Sequence, residues 1–351
     1  MDRKTIDKTG IDRILVRSTN WVGDAVMTLP ALEAVKKNFP SSSVSVLAKP
    51  WVEPVFRNHP AVDDVVILNK GGGAFTGFGE LFRVIRSVRK RPFDLAILFQ
   101  NAFEAALISW AGGIPVRAGY NTDGRGLLLT HRVARSQDVL RVHQVEYYLS
   151  LLEQLGLKTE KKDPVLHVSS EERAGAQKRL WDEGVKKGDL LVGLNAGAIF
   201  GGAKKWNAER FARIGDKSIE EWGARVLVFG SAKEIEIGKK VMNGMQHAAC
   251  DFCGQTSLRE AISLVSMCDI FVTNDSGLMH VASALNVPTV AIFGPTDQEA
   301  TGPCGQKTRI VNHRVHCSPC LKPECPTDHQ CMNGIGVEEV WKVMQELKND
   351  V

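Results

Sequence analysis

No apolar run in this 351-residue chain approaches the ~20 residues that a helix needs to cross a bilayer. The amino terminus, MDRKTIDKTGIDR, is charged and holds no apolar signal core. Both absences lead us to expect a cytoplasmic protein, in a compartment where thiols stay free. A large charge of one sign is also missing. Lys and Arg number 44 against 40 Asp and Glu, a formal balance of +4. That is too mild to argue for nucleic acid, and it suits an acidic small molecule or loose contact with an anionic membrane surface. The GxGxxG fingerprint and the P-loop GxxxxGK[ST] are absent, which speaks against a nicotinamide enzyme or an NTPase. None of the eight cysteines precedes Cys250.

What is present is a soluble globular composition, 44% hydrophobic and 24% charged, on a length that suits two domains. Short buried-type strands are expected at residues 14–16, 44–47, 65–68 and 95–98. A helix with apolar positions Val26, Met27, Leu29, Leu32 and Val35 follows the first of them. Gly71-Gly72-Gly73 reads as a loop, and residues 81–90 as a basic helix. A second series of strands is expected at 190–194, 225–229, 270–272 and 290–293. Strands alternating with helices predict two α/β domains with parallel sheets, divided at 1–175 and 176–335. A last helix, residues 337–347, is expected against the first domain.

The most telling stretch runs from Phe271 to His280. An apolar run stops at Asn274-Asp275-Ser276-Gly277, a helix-like run follows, and a second apolar run ends in Gly294-Pro295-Thr296. This is strand, turn, helix, strand, with the turn at the carboxyl edge where open α/β sheets bind ligands. A helix start there turns free N–H groups outward and favours an anion. Asp and Ser are also the usual N-cap residues, so plain capping stays open. Asp24, after Trp21-Val22-Gly23, has two readings as well: a cap worth ~1 kcal/mol, or a general base. In Asn195 to Trp206 the small residues would let a ligand approach the backbone, and Lys204 and Lys205 would supply cations. Glu234, just past Phe229-Gly230-Ser231, suits either ribose hydroxyls or solvent. Facing sheets would bring residues 20–24 and 274–280 to one central cleft.

Four motifs occur together: Ser18-Thr19-Asn20-Trp21-Val22-Gly23-Asp24, Gly197-Ala198 through Ala203-Lys204-Lys205-Trp206, Phe229-Gly230-Ser231-Ala232, and Thr273-Asn274-Asp275-Ser276-Gly277-Leu278-Met279-His280. In this order, over residues 14–294, the chain resembles the ADP-heptose–lipopolysaccharide heptosyltransferases of glycosyltransferase family nine. The resemblance implies a GT-B fold: two Rossmann-like, doubly wound α/β domains, the acceptor site N-terminal and the nucleotide-sugar site C-terminal. It implies inverting transfer from ADP-heptose to the lipopolysaccharide core, with no cofactor needed for catalysis. The acceptor would be met at the cytoplasmic face of the inner membrane, with only peripheral membrane contact and no nucleic acid. Asp24 matches the family's base. Lys204, Asp275, Ser276, Gly277 and His280 match its donor contacts, and Glu234 matches less closely. Some relatives carry Thr where this chain has Ser276. Transfer of another sugar from its nucleotide, or sugar-nucleotide binding without turnover, are the alternatives.

Two further features stand outside this pattern. Cys317, Cys320, Cys325 and Cys331 follow a C-x2-C-x4-C-x5-C spacing among three prolines. A structural metal would offset the ordering cost of such a loop; free or disulfide-forming thiols are the other reading. Similar clusters occur in some family members and not in others, which implies no catalytic role. Cys250 and Cys253 read as packing. Arg83, Arg86, Arg89, Lys90 and Arg91 could face phosphates or head groups, or form a solvated helix face.

Overall fold

The computed structural model describes residues 5–69, 74–199 and 201–350; the expected loop at Gly71–Gly73 lies outside the described residues. The chain forms two compact units, Met1–Pro164 and Val165–Val351, so the division precedes the expected boundary at 175.

In the first unit the strands are β1 (Arg13–Arg17), β2 (Ser43–Ala48), β3 (Asp64–Ile67), β4 (Leu95–Leu98), β5 (Val116–Tyr120) and β6 (His131–Val133). The helices are α1 (Val22–Met27), α2 (Leu29–Asn38), α3 (Ala74–Arg89), α4 (Phe103–Ala111) and α5 (Gln144–Gln154). The strands pair in parallel in the order β3-β2-β1-β4-β5-β6. β4, LAIL, is buried along its whole length, which is why a central parallel strand reads as an unbroken apolar run. The single helix expected over Val26 to Val35 is two. Thr28 closes α1 and opens α2, with Pro30 in the first turn of α2, where a missing N–H costs nothing.

The second unit repeats the plan with strands β7 (Leu191–Asn195), β8 (Arg225–Val228), β9 (Cys250–Asp251), β10 (Ile270–Asn274), β11 (Thr289–Phe293) and β12 (Thr308–Asn312). Its helices are α6 (Ser170–Asp182), α7 (Ala208–Trp222), α8 (Ile235–Gly244), α9 (Leu258–Val265), α10 (Gly277–Ala284), α11 (Gln298–Thr301), α12 (Gln330–Asn333) and α13 (Val337–Asn349). The parallel order is β12-β11-β10-β7-β8-β9. Counted from the first strand of each unit, both sheets have the doubly wound order 3-2-1-4-5-6. α7 shows how local signals set an element: Asn207 accepts from the N–H groups of Glu209 and Arg210, and Gly223 ends the helix at φ 62°.

Helix α13 corrects an expectation. Its Val340, Trp341 and Met344 pack in the core of the second unit with Trp206 and Phe211, and Trp341 stacks on Trp222 with ring centroids 4.3 Å apart. Its apolar face is satisfied there.

Arg259 at the start of α9 ties that helix to α6. Its guanidinium grips both carboxylate oxygens of Glu172 and donates to the His167 carbonyl at 2.8 Å. The Arg259 hydrogen bonds hold the Glu172 carboxyl down to about 2, from an ordinary 4.5. A lowered folded value means that the stabilisation is complete above about pH 4.5 and is lost as pH falls toward 2. Glu172→Gln is therefore expected to lose about 1–3 kcal/mol at pH 7. In urea titrations across pH, that gap to the parent protein should close between pH 4.5 and 2; a gap independent of pH would refute the assignment.

Candidate active site

In the first unit a cavity of about 330 Å³ opens at the carboxyl ends of β1 and β4. These neighbouring strands send their connections opposite ways, the switch point where open sheets form crevices. From β1 come Asn20, Trp21 and Asp24; from β4 come Gln100 and Asn101; Arg135 and Tyr147 close the far side. The turn is held from beneath. Arg17, 1% exposed, donates to the Leu47 carbonyl at 3.2 Å and to Asn20 Oδ1 at 2.9 Å. Burial pulls its guanidinium down to about 10, with Glu104 opposing, so it remains charged at neutral pH. The Trp51 indole N–H donates to the Asn20 carbonyl at 2.9 Å. Asp24 sits in the first turn of α1. Burial first, then the Asp24 carboxylate, drives the Tyr148 hydroxyl well above its ordinary value, so this wall of the cavity is a neutral phenol.

In the second unit the corresponding switch point lies between β7 and β10. Asn195, at the end of β7, donates to Thr273 Oγ1 at 2.9 Å and to Ser276 Oγ at 2.8 Å. Asn274, at the end of β10, is fully buried. Its side chain accepts from the Trp206 N–H at 3.0 Å and donates to the Ala196 carbonyl at 2.8 Å. These two amides fix the loop after β7 to the turn after β10. Above them, Asp275 Oδ2 takes Lys204 Nζ at 2.6 Å and Thr296 Oγ1 at 2.7 Å, with side chains 7% and 16% exposed for Asp275 and Lys204. Ser276 caps α10 by accepting from the Met279 N–H, as the capping reading expects. Among the described residues no acceptor faces the N–H groups of Ser276, Gly277 or Leu278. One donor is capped and three have no protein acceptor among the described residues, the state in which a helix start can take an anion.

Lys204, Asp275, Ser276 and Gly277 are thus brought together. Glu234 lies in the turn beyond β8, against Gly197 of the loop that follows β7. Its carboxylate accepts from the Ser231 N–H and hydroxyl at 2.8 and 2.7 Å and lies so close to Gly197 that a Cβ there would come within 2.1 Å of it. His280 is buried in the first turn of α10, where its carbonyl accepts from the Ser283 hydroxyl. Asp24 belongs to the other unit. The small residues of the 197–203 loop were expected to admit a ligand to the backbone. The groups that approach them are the protein's own: Glu234 at Gly197, Pro323 at Gly201 and Glu324 at Gly202. Arg135, Tyr147 and Thr296 were not singled out from sequence as site residues, and the three-residue β6 gave no periodic signal that Arg135 follows it.

The structural metal that was one of two readings of Cys317, Cys320, Cys325 and Cys331 finds no ligand set among the described residues. Among the described residues no group of three or more His, Cys, Asp or Glu side chains is placed to hold a metal ion, and Cys317, Cys320, Cys325 and Cys331 form no disulfide. Cys331 is spent on packing, buried with Met332 in the core of the second unit, while Cys317 is exposed. The segment is ordered instead by hydrogen bonds to neighbouring loops. Cys250 and Cys253 are buried, and burial pushes the Cys253 thiol up to about 11. In the basic stretch, Arg83 pairs with Glu80, Arg91 pairs with Asp64, and Arg89 donates to the Ala111 carbonyl.

Two doubly wound parallel units, each with its polar turn at the switch point, define a GT-B glycosyltransferase. The chain belongs to glycosyltransferase family 9 (heptosyltransferase), whose model matches residues 81–330. It is 34% identical over 310 residues to lipopolysaccharide heptosyltransferase 2 of Salmonella typhimurium, covering 85% of this chain and 87% of that protein. The solved structure of Escherichia coli ADP-heptose lipopolysaccharide heptosyltransferase II superposes with a TM-score of 0.84 at 28% identity, covering 96% of this chain and 99% of that one. The E. coli heptosyltransferase WaaC with ADP shares the fold at 18% identity and a TM-score of 0.73, over 95% and 99% of the two chains.

Replacing Asn274 by Ala removes both partners from two buried main-chain groups. Loss of about 2–4 kcal/mol of stability is expected in urea denaturation; a loss below ~0.5 kcal/mol would show that the amide does not hold the loop.

Proposed function

We propose that this chain is a heptosyltransferase of type II, moving L-glycero-D-manno-heptose from ADP-heptose to a heptosyl-Kdo–lipid A acceptor of the lipopolysaccharide inner core. One observation carries this reading. Lys204 and the N–H groups of the 274–278 turn that have no protein acceptor among the described residues meet at the switch point of the second sheet in a chain of this family. Breaking the anomeric bond leaves two electrons on the departing ADP. Lys204, the N–H groups of Ser276, Gly277 and Leu278, and the α10 dipole are suited to that diphosphate. With charge met in this way, the reading assigns no cofactor to the step. Glu234 in the turn beyond β8 is suited to the ribose hydroxyls.

Asp24 is assigned as the base that takes the acceptor hydroxyl proton while the oxygen attacks the opposite face, inverting the centre. Its cavity also carries Arg135, a cation suited to an anionic acceptor. Because that acceptor is anchored in lipid, the enzyme is proposed to work in the cytoplasm in peripheral contact with the inner membrane. No described helix is long and apolar enough to cross a membrane, and exposed Arg86 and Lys90 are suited to anionic head groups.

Release of ADP from ADP-heptose should depend on a Kdo-containing acceptor, and ADP should raise the melting temperature more than UDP or NAD. Release without acceptor dependence would remove the transferase reading. Asp24→Ala should bind ADP within about twofold of the parent protein and lose at least ~100-fold in kcat. Unimpaired turnover would take Asp24 out of the mechanism.

A further inference from the structure

The loop that presents Lys204 has little to hold itself with. Gly201, at φ 147°, and Gly202 carry no side chains, and glycine brings freedom rather than rigidity. A lysine at the end of such a loop would spend binding energy on being ordered. Besides the Asn274 bonds at Ala196 and Trp206 and the Lys204–Asp275 pair, the loop takes its order from the Cys-rich segment. The Ala203 N–H donates to the Pro323 carbonyl at 3.0 Å, and the Gly202 N–H donates to Glu324 Oε1 at 3.0 Å. His329, through Nε2, donates to the Ala203 carbonyl at 2.5 Å. The fit leaves no room for larger residues: a Cβ on Gly201 would lie 2.1 Å from the Pro323 oxygen, and one on Gly202 would lie 2.7 Å from Glu324 Oε2.

The same segment is fastened at its other end. The Cys320 and Leu321 N–H groups both donate to the Pro295 carbonyl, at 3.0 and 2.8 Å, and the Ser318 hydroxyl donates to the Gly294 carbonyl. Pro295 precedes Thr296, whose hydroxyl meets the same Asp275 oxygen as Lys204. Two arms therefore converge on Asp275, one from the 201–204 loop and one from the 294–296 turn. Residues 318–329 span the two.

We propose that the Cys-rich segment is a brace for the nucleotide half-site, with Glu324 as the positioning residue that holds the Gly202–Lys204 loop against a bound diphosphate. This rests on the reading that the half-site takes a nucleoside diphosphate. Glu324 touches no reacting atom. It acts through the Gly202 N–H, and its side chain is exposed, so its replacement leaves the core intact.

The test is calorimetric titration of the full chain with ADP, alongside steady-state kinetics with ADP-heptose. Glu324→Ala removes the acceptor and is expected to weaken ADP binding about three- to tenfold, raising the donor KM in proportion while kcat, acceptor KM and melting temperature hold. Glu324→Gln keeps an acceptor oxygen at the same reach and should stay within about twofold of the parent protein. No weakening in Glu324→Ala, or equal weakening in Glu324→Gln, overturns the proposal. If the parent protein itself fails to bind ADP, the functional reading falls and the brace is judged by amide hydrogen exchange. Faster exchange at Gly202 and Ala203 in Glu324→Ala sustains it, and unchanged exchange refutes it.

Discussion

The constraint on which the polar turns of both units depend is the reversal of strand connections at the middle of each sheet. In β3-β2-β1-β4-β5-β6, β1 and β4 are neighbours whose following helices leave in opposite directions, and β7 and β10 stand in the same relation. A crevice at that edge is a consequence of topology before any side chain is chosen. The chain then spends its polar residues there. Asn20 and Asp24 follow β1, and Asn195, Asn274 and Asp275 end or follow β7 and β10. Amides and charges at these positions cost desolvation and repay it only through geometry.

That geometry is held by buried polar groups, each with a definite duty. Arg17 lies under the Asn20 turn and keeps its charge despite burial. Asn274 ties two loops through main-chain groups that would otherwise be unsatisfied. The Lys204–Asp275 pair is nearly excluded from water. Pairs of this kind add little net stability, so its value lies in fixing where an ammonium stands. Thr296 on the same carboxylate oxygen sharpens that position.

The strands that carry the site were legible because they are central. β4, β7, β10 and β11 are fully buried and read as apolar runs. Of the edge strands, β3 was expected at 65–68, but β6 has three residues and β9 two, too short for a period to show. β5 and β12 are only partly buried. The turn residues were legible for a local reason, since Asp24 and Ser276 begin helices directly after strands. Arg135, Thr296 and Glu324 were not, because each acts across a long stretch of chain. Nothing near Glu324 in sequence indicates that Gly202 is its partner. The protein's own groups at Gly201 and Gly202, Pro323 and Glu324, were not legible for the same reason. Glycine marks a close approach, but the sequence does not say of what.

Capping and anion binding at the 274–278 turn are not rival readings. A helix start has four N–H groups without helical partners. Ser276 uses its hydroxyl on the Met279 N–H, which sets the helix entry and leaves the others without a protein acceptor among the described residues. Asp275 would by itself repel a diphosphate at that position. Its carboxylate is instead committed to Lys204 and Thr296, so its negative charge is answered within the site. In the proposed reaction Asp275 seats the lysine through Oδ2, the carboxylate oxygen that Lys204 and Thr296 share. One carboxylate in the donor-binding turn thereby fixes the position of the cation that the departing diphosphate needs.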